Sequence, residues 1–357
     1  MTKRNRLILI TIFSVIFLAV APELLFYALG YKFDLAKKKF VSTGGIYIRI
    51  STPNTQVFVN GRQKKNFNIF DNSILIQGLL PKKYEFSVKK DGYYSWQKYL
   101  EIKEKEVIRV ENVTLIKEKV VFEKLRDNIK NFYISPKGDL VLLLDSLKYD
   151  FSIVDGKTTV EKNSFYLPKN TKPPHQNIGS GGKDNIKVVS WDENLKTIIL
   201  KTEDNYFSID YSKPGIINPS PSAKGEGVIE PKTTLFESDE ELDTIFSPDN
   251  SKFLFFNDHE IFFAETKNPS EKTFLTRFSE KIKDCFWLND YYLVFVVGDK
   301  IKISEIDARD KLNIVDLNPL SEKITEIKNP SVFWDQVNKK LYLLNNNSLF
   351  LSEKLFP

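Results

Sequence analysis

Side chains able to do acid–base, nucleophilic or metal chemistry are few in this chain. Two histidines, His175 and His259, and one cysteine, Cys285, are all that its 357 residues hold. A single cysteine excludes an intramolecular disulfide and a multi-cysteine zinc site. Two separate histidines leave little for imidazole-based metal binding. His175 lies in Pro-Pro-His-Gln and reads as exposed, and His259 in Asn-Asp-His-Glu reads as a hairpin tip. Cys285 precedes Phe286 and Trp287, so a buried, inert thiol is expected rather than a nucleophile. Gly179-Ser-Gly-Gly182 has the glycine density of a phosphate loop, but no Lys-Ser/Thr helix follows it, so a flexible loop is expected. The acidic run from Glu237 to Asp243 could attract a cation or a basic partner, and is read as a solvated loop. No P-loop, dinucleotide fingerprint, nucleophile elbow or His-Glu-x-x-His helix is present. The sequence therefore assigns no catalytic, cofactor-binding or metal-ligating residue.

Composition narrows the class. At about 150 residues per domain, the length suggests two or three domains. Hydrophobic residues make 41% and charged residues 28%, with 52 basic against 47 acidic side chains. This is the balance of a folded chain, too even for a dedicated nucleic-acid binder. Abundant Lys, Asn, Ile and Phe, with the initiator as the sole methionine, suit an AT-rich bacterial genome.

The first long element is an apolar stretch. Leu7–Ala21 carries no charge, and after Pro22 and Glu23 the run resumes to Tyr31. From Leu7 to Tyr31 a helix covers about 37 Å, enough to cross a hydrocarbon core of about 30 Å. Residues 1–31 are thus expected to form a single transmembrane anchor, with Tyr27 and Tyr31 at an interface. The competing reading is a cleaved signal peptide, with Lys3, Arg4 and Arg6 as its basic region and Ala19-Val20-Ala21 as its cleavage site. Pro22 would then be the first mature residue, which argues for an uncleaved anchor. Flanking charge does not decide orientation, because Lys32, Lys37, Lys38 and Lys39 follow the span.

Residues 42–116 alternate with the period of half-buried strands. Six are expected: Gly44–Thr52, Gln56–Gly61, Ser73–Leu79, Lys83–Tyr93, Ser95–Lys103 and Val107–Ile116. Turns separate them at Pro53-Asn54, Asn60-Gly61, Leu80-Pro81 and Asp91-Gly92, giving a compact antiparallel sandwich. The segment resembles the PEGA domain, a small β module of bacterial and archaeal surface proteins. The likeness runs through Gly45–Pro53, Val57–Gly61, Leu80-Pro81, Tyr84 and Asp91-Gly-Tyr-Tyr-Ser-Trp96. Two departures fall in turns: Pro53-Asn54-Thr55-Gln56 replaces Pro-Glu-Gly-Ala, and Lys82 or Lys83 stands where glycine is usual. The resemblance implies an extracytoplasmic location for the bulk of the chain, with the N-terminus cytoplasmic. Tyr93 and Trp96 read as core residues rather than a sugar-stacking platform, and Tyr94, on the alternate face, stays open.

Residues 117–357 repeat. Ser135, Trp191, Ser247, Trp287 and Trp334 mark five similar corners at intervals of 56, 56, 40 and 47 residues. A period of about 50 residues signals a propeller or solenoid, and three or four strands per period make a propeller blade. The run Phe246-Ser-Pro-Asp-Asn-Ser-Lys-Phe-Leu-Phe255 resembles the blade signature of TolB-like and WD-repeat-like propellers, a likeness of architecture alone. The last repeat supplies three strands, while Lys119–Glu123 is a strand with no blade of its own. Pairing the two removes an exposed edge and yields five blades, or six if a degenerate blade lies within 155–187. Two Pro/Gly/Ser/Asn-rich stretches, 167–185 and 212–233, are expected to be irregular.

The fold class read from sequence is therefore all-β: an N-terminal transmembrane helix (1–31), a PEGA-like β-sandwich (42–116) and a β-propeller (117–357). The expected function is that of a non-catalytic, single-pass cell-membrane protein of the envelope that binds protein or cell-wall or surface-layer glycan. It requires no cofactor and no nucleic acid. The alternatives are an envelope hydrolase or lyase using the propeller channel, and an intracellular membrane-tethered scaffold.

Overall fold

The computed structural model describes residues 3–64, 72–135, 137–146, 150–156, 161–166, 187–201, 206–213, 215–216, 218–219, 245–324 and 326–356. The chain divides into two compact units: Met1–Lys117 with Asp307–Asn313 and Phe356–Pro357, and Glu118–Ile306 with Ile314–Leu355.

The first unit begins with helix α1, Lys3–Ala28, which runs unbroken through Pro22. It stops short of the expected Tyr31. Gly30 takes a left-handed φ of +80°, a conformation that costs glycine little and ends a helix. Tyr31 instead opens a hairpin, β1 (Tyr31–Asp34) and β2 (Lys39–Ser42), absent from the expected elements because Lys37–Lys39 obscures the alternation.

Seven further strands form the sandwich: β3 (Gly44–Ile50), β4 (Gln56–Val59), β5 (Arg62–Lys64), β6 (Ser73–Leu79), β7 (Lys83–Lys89), β8 (Trp96–Glu101) and β9 (Val107–Val113). They make two sheets, ordered β6-β3-β9 and β5-β4-β7-β8. Alternate residues fill one core, among them Ile46, Ile48, Ile50, Phe86, Val88 and Trp96. The expected hairpin at Asn60-Gly61 forms, with φ of +47° and +73°, and pairs β4 with the unanticipated β5. The sandwich is not antiparallel throughout. β9 runs parallel to β3, with Gly45 opposite Val107 and Ile48 opposite Val110. β7 and β8 pair in the other sheet, so the chain crosses between sheets after β8 and lies down beside β3 in the same direction.

Among the described residues, the second unit is built of five sheets in chain order, each carrying one of the repeated corners. The first four start at Ile129–Ile134, Lys187–Asp192, Ile245–Phe246 and Ile282–Asn289, and each continues antiparallel through three more strands. The fifth contains Ser331–Asp335, Lys340–Asn345 and Ser348–Ser352. Its next strand is β10, Val120–Arg126, taken from the start of the unit. β10 pairs antiparallel with Ser348–Ser352, placing Phe122 opposite Ser352 and Glu123 opposite Leu351. This is a five-bladed β-propeller closed by both ends of its own sequence. Neighbouring blades bury apolar faces against each other. Phe132, Val141 and Leu143 of the first blade meet Tyr342, Leu349 and Leu351 of the fifth, and Leu142 and Phe151 of the first meet Ile198 and Phe207 of the second.

Part of the second Pro/Gly-rich stretch is ordered as strand, not irregular. Gly215–Ile216 adds in parallel to the outer edge of the first blade, and Asn218–Pro219 completes the second. Most of 212–233, all but Lys187 of the possible sixth-blade region after Tyr166, and the whole of 167–185 lie outside the described residues.

The closing strand generates a test. Phe122 is 3% exposed and its neighbour Val121 50%. Phe122→Ala should lower the unfolding free energy by about 3–5 kcal/mol, and Val121→Ala by no more than about 0.5 kcal/mol, as read by denaturant titration.

Candidate interaction surfaces

The residues with chemical potential are placed by the structure in packing or turn roles. Cys285, on the inner strand of the fourth blade, is buried, and that burial raises its thiol well above the ordinary range, with a further push from Asp284. A thiolate is the reactive form, so this sulfur is inert. His259 sits at an exposed turn, where its N–H and that of Glu260 donate to Asn257 Oδ1 at 2.9 and 2.8 Å. Trp96 is buried in the sandwich core and Tyr93 packs against it, with Lys90 Nζ 4.7 Å from the Tyr93 ring centroid. Tyr94 is half-buried, and its N–H donates to Ile116 O at 2.8 Å. His175, Gly179–Gly182 and the acidic run 237–243 lie outside the described residues. Among the described residues, no three His, Cys, Asp or Glu side chains converge as metal ligands would.

The corner residues act as turn caps. In the first blade, Ser135 Oγ donates to Asp139 Oδ1 at 2.8 Å and accepts from Leu140 N at 3.0 Å. In the third, Ser247 Oγ donates to Asp249 Oδ1 at 2.8 Å and accepts from Lys252 N at 3.0 Å. Asp192 and Asp335 each accept from the backbone N–H groups two and three residues ahead, the Asx-turn that makes aspartate a turn residue. Burial alone would raise the Asp249 carboxyl, but hydrogen bonds from Ser251 N, Ser251 Oγ and Ser247 Oγ outweigh it and hold the group well below the usual carboxylate value.

Corners also tie blade to blade. Asn338 Nδ2 donates to Gly138 O at 3.2 Å, Lys137 N to Glu193 Oε1 at 3.1 Å, and Asp249 N to Asp290 Oδ1 at 2.9 Å. Gly138 has φ +70°, and an added Cβ would lie 2.7 Å from Asp335 Oδ1. A side chain there would be strained both by the left-handed conformation and by the approach of Asp335, which favours glycine.

One polar site escaped the sequence reading. Lys98, on β8, shares the inward parity of Trp96 and Leu100 and is fully buried. Its ammonium donates to the carbonyls of Asp307, Arg309 and Lys311 at 2.7, 3.0 and 2.8 Å. These three acceptors match the three donors of an ammonium, so the buried charge is solvated by backbone. The signal was a lysine on the apolar parity of its strand. Its partners, some 210 residues away, left no mark in the local pattern.

Among the described residues, most of the exposed large apolar side chains lie on α1. Leu7, Ile10, Ile12, Phe13, Val15 and Ile16, which point in all directions around the axis at about 100° per residue, are each at least half exposed. Within the described residues this is the one helix long and apolar enough to cross a membrane, and none of that window is buried in the protein.

No protein-family model and no curated protein sequence matches the chain. Solved structures similar to it include the C-terminal WD40 domain of Sif2, at 9% identity and TM-score 0.24, covering 76% of this chain and 66% of that one. The β-propeller domain of Myceliophteria thermophila Cps50 (Swd1) has 11% identity and TM-score 0.32, covering 65% and 86%. Kluyveromyces lactis Hsv2 has 10% identity and TM-score 0.31, covering 86% and 91%. Likeness of this order transfers no residue role and no activity.

Two measurements check these assignments. Cys285 in the folded protein should resist an aqueous thiol reagent and react fully once denaturant unfolds the chain. Asp249→Ala should cost about 1 kcal/mol at neutral pH, the scale of a surface-screened turn hydrogen bond. The folded carboxyl titrates below its unfolded value of about 3.9, so its contribution is complete above that value and is lost as pH falls further. The difference between native and variant should therefore narrow below about pH 4 in denaturation curves.

Proposed function

We propose that this protein is a non-catalytic, membrane-anchored protein of the cell envelope, held by α1, whose β units bind another envelope protein or a cell-wall or surface-layer glycan. The observation that carries the reading is the exposure of α1 on every side. An all-round apolar helix of 24 residues spans about 36 Å and has a place to bury its surface in a bilayer core of about 30 Å. A water-soluble helix would keep one polar face.

Among the described residues, the non-catalytic reading is supported by where the chemistry-bearing side chains sit: Cys285 is sealed in a blade, and the corner Ser and Asp side chains are engaged in turns. The β module supports the PEGA resemblance through its glycine-led β3, its Asn60-Gly61 hairpin, the left-handed Gly92 at +77° and the buried Trp96. That resemblance is also the basis for placing the N-terminus in the cytoplasm and the β units outside. Binding is the role left to a propeller of closed blades whose function resides in its loops.

In its native cells the protein should stay in the membrane pellet through an alkaline carbonate wash, and protease added to intact cells should remove the β units. Release by carbonate would overturn the anchor. Retention with full protection from protease would overturn the outward placement.

A further inference from the structure

We propose that the β1–β2 hairpin is a second membrane contact, lying in the headgroup layer and recognising anionic phospholipid. The inference rests on the membrane reading of α1. The hairpin register sets Phe33 opposite Phe40, with ring centroids 5.3 Å apart. Phe40 in turn stacks on Phe26 of α1, at 4.6 Å and 20° between planes, and Phe26 meets Tyr31 edge-on at 6.1 Å. The aromatic face of the hairpin is thus continuous with the apolar surface of the helix. Phe33 and Phe40 are exposed, and Leu35 at the tip is 82% exposed. The opposite face is packed inward, with Asp34 and Val41 buried.

Charge completes the surface. Lys37, Lys38 and Lys39 are consecutive and exposed. Asp34, opposite Lys39 in the ladder, caps the turn by accepting from Ala36 N and Lys37 N at 2.9 and 3.3 Å, and its single negative charge leaves the run of three lysines net positive. Apolar side chains beside a lysine run fit the boundary between acyl chains and anionic headgroups, where aromatic rings and basic side chains both find favourable surroundings. An anionic bilayer presents acyl chains and negative headgroups at one boundary and so matches both together, in continuity with the apolar surface of α1.

The hairpin is also held at the right height. Phe26 lies two residues from the end of α1, so a ring stacked on it sits where a spanning helix leaves the hydrocarbon core. Thr43 N and Thr43 Oγ1 donate to Gly30 O at 2.8 and 2.7 Å, and Lys32 Nζ donates to Gly78 O at 2.7 Å. These bonds fasten the hairpin to the helix end and to β6, so it cannot swing away from the surface.

The test uses the full chain in phosphatidylcholine vesicles with and without phosphatidylglycerol. An environment-sensitive fluorophore is placed through Leu35→Cys, or through Phe13→Cys as a reporter of α1. Cys285, being buried, does not compete for label. Nitroxide lipids serve as quenchers. The expected result is quenching of the Phe13 reporter in both vesicles, with quenching and a blue shift at position 35 that increase with phosphatidylglycerol. That increase should be lost when Lys37→Gln, Lys38→Gln and Lys39→Gln are combined. A quenched Phe13 reporter with water-like emission at position 35 in both vesicles would overturn the hairpin contact and leave the anchor standing. An unquenched Phe13 reporter would overturn the anchor itself. Equal quenching at position 35 with and without phosphatidylglycerol would overturn the recognition of anionic lipid.

Discussion

The ladder between β10 and Ser348–Ser352 is the constraint on which the propeller depends. Without β10, the last blade would expose the N–H and C=O groups of its outer strand, an open edge that invites pairing with other chains. With it, Val120 and Phe122 are buried, and Val121 N and Glu353 Oε1 are joined at 3.1 Å across 232 positions of sequence. Such a closure is cheap at equilibrium, because loop entropy grows only with the logarithm of length. Its cost is kinetic: contacts this distant form late and slow the folding of β proteins.

Within the propeller, polar side chains serve the architecture. Ser135 and Ser247 accept backbone N–H groups at their corners, and Asp192 and Asp335 do so by Asx-turns. Links such as Asn338 to Gly138 and Lys137 to Glu193 then couple one corner to the next. These corner Ser and Asp side chains therefore hold blade geometry. The buried cysteine and the capped carboxylates are parts of the blade frame.

Lys98 shows a different economy in the first unit. Burying an ammonium is costly unless its hydrogen-bonding capacity is met. Three carbonyls from Asp307–Lys311 meet it. The same segment is fastened further by Tyr99 N to Asp310 Oδ2 at 3.0 Å. That is why Asp307–Asn313 belongs with the first unit although it falls inside the range expected for the propeller. Burial alone would raise the Asp307 carboxyl, but Arg309 and the Lys98 charge lower it on balance.

The apolar run of α1, six of the seven strands of the sandwich and the five repeated corners are all legible in the sequence, because period and turn chemistry are local properties of neighbouring residues. The stray strand at 119–123 is legible too, since an unpaired strand and an incomplete last blade point to each other. Other features were decided only in three dimensions. The β1–β2 hairpin lies under a lysine run that hides its alternation. The parallel pairing of β3 with β9 depends on where β8 leaves the chain, and the three carbonyls around Lys98 come from about 210 residues away. Alternation specifies which face of a strand is buried; which strand, or which distant carbonyl, will cover it is settled only when the sheets pack.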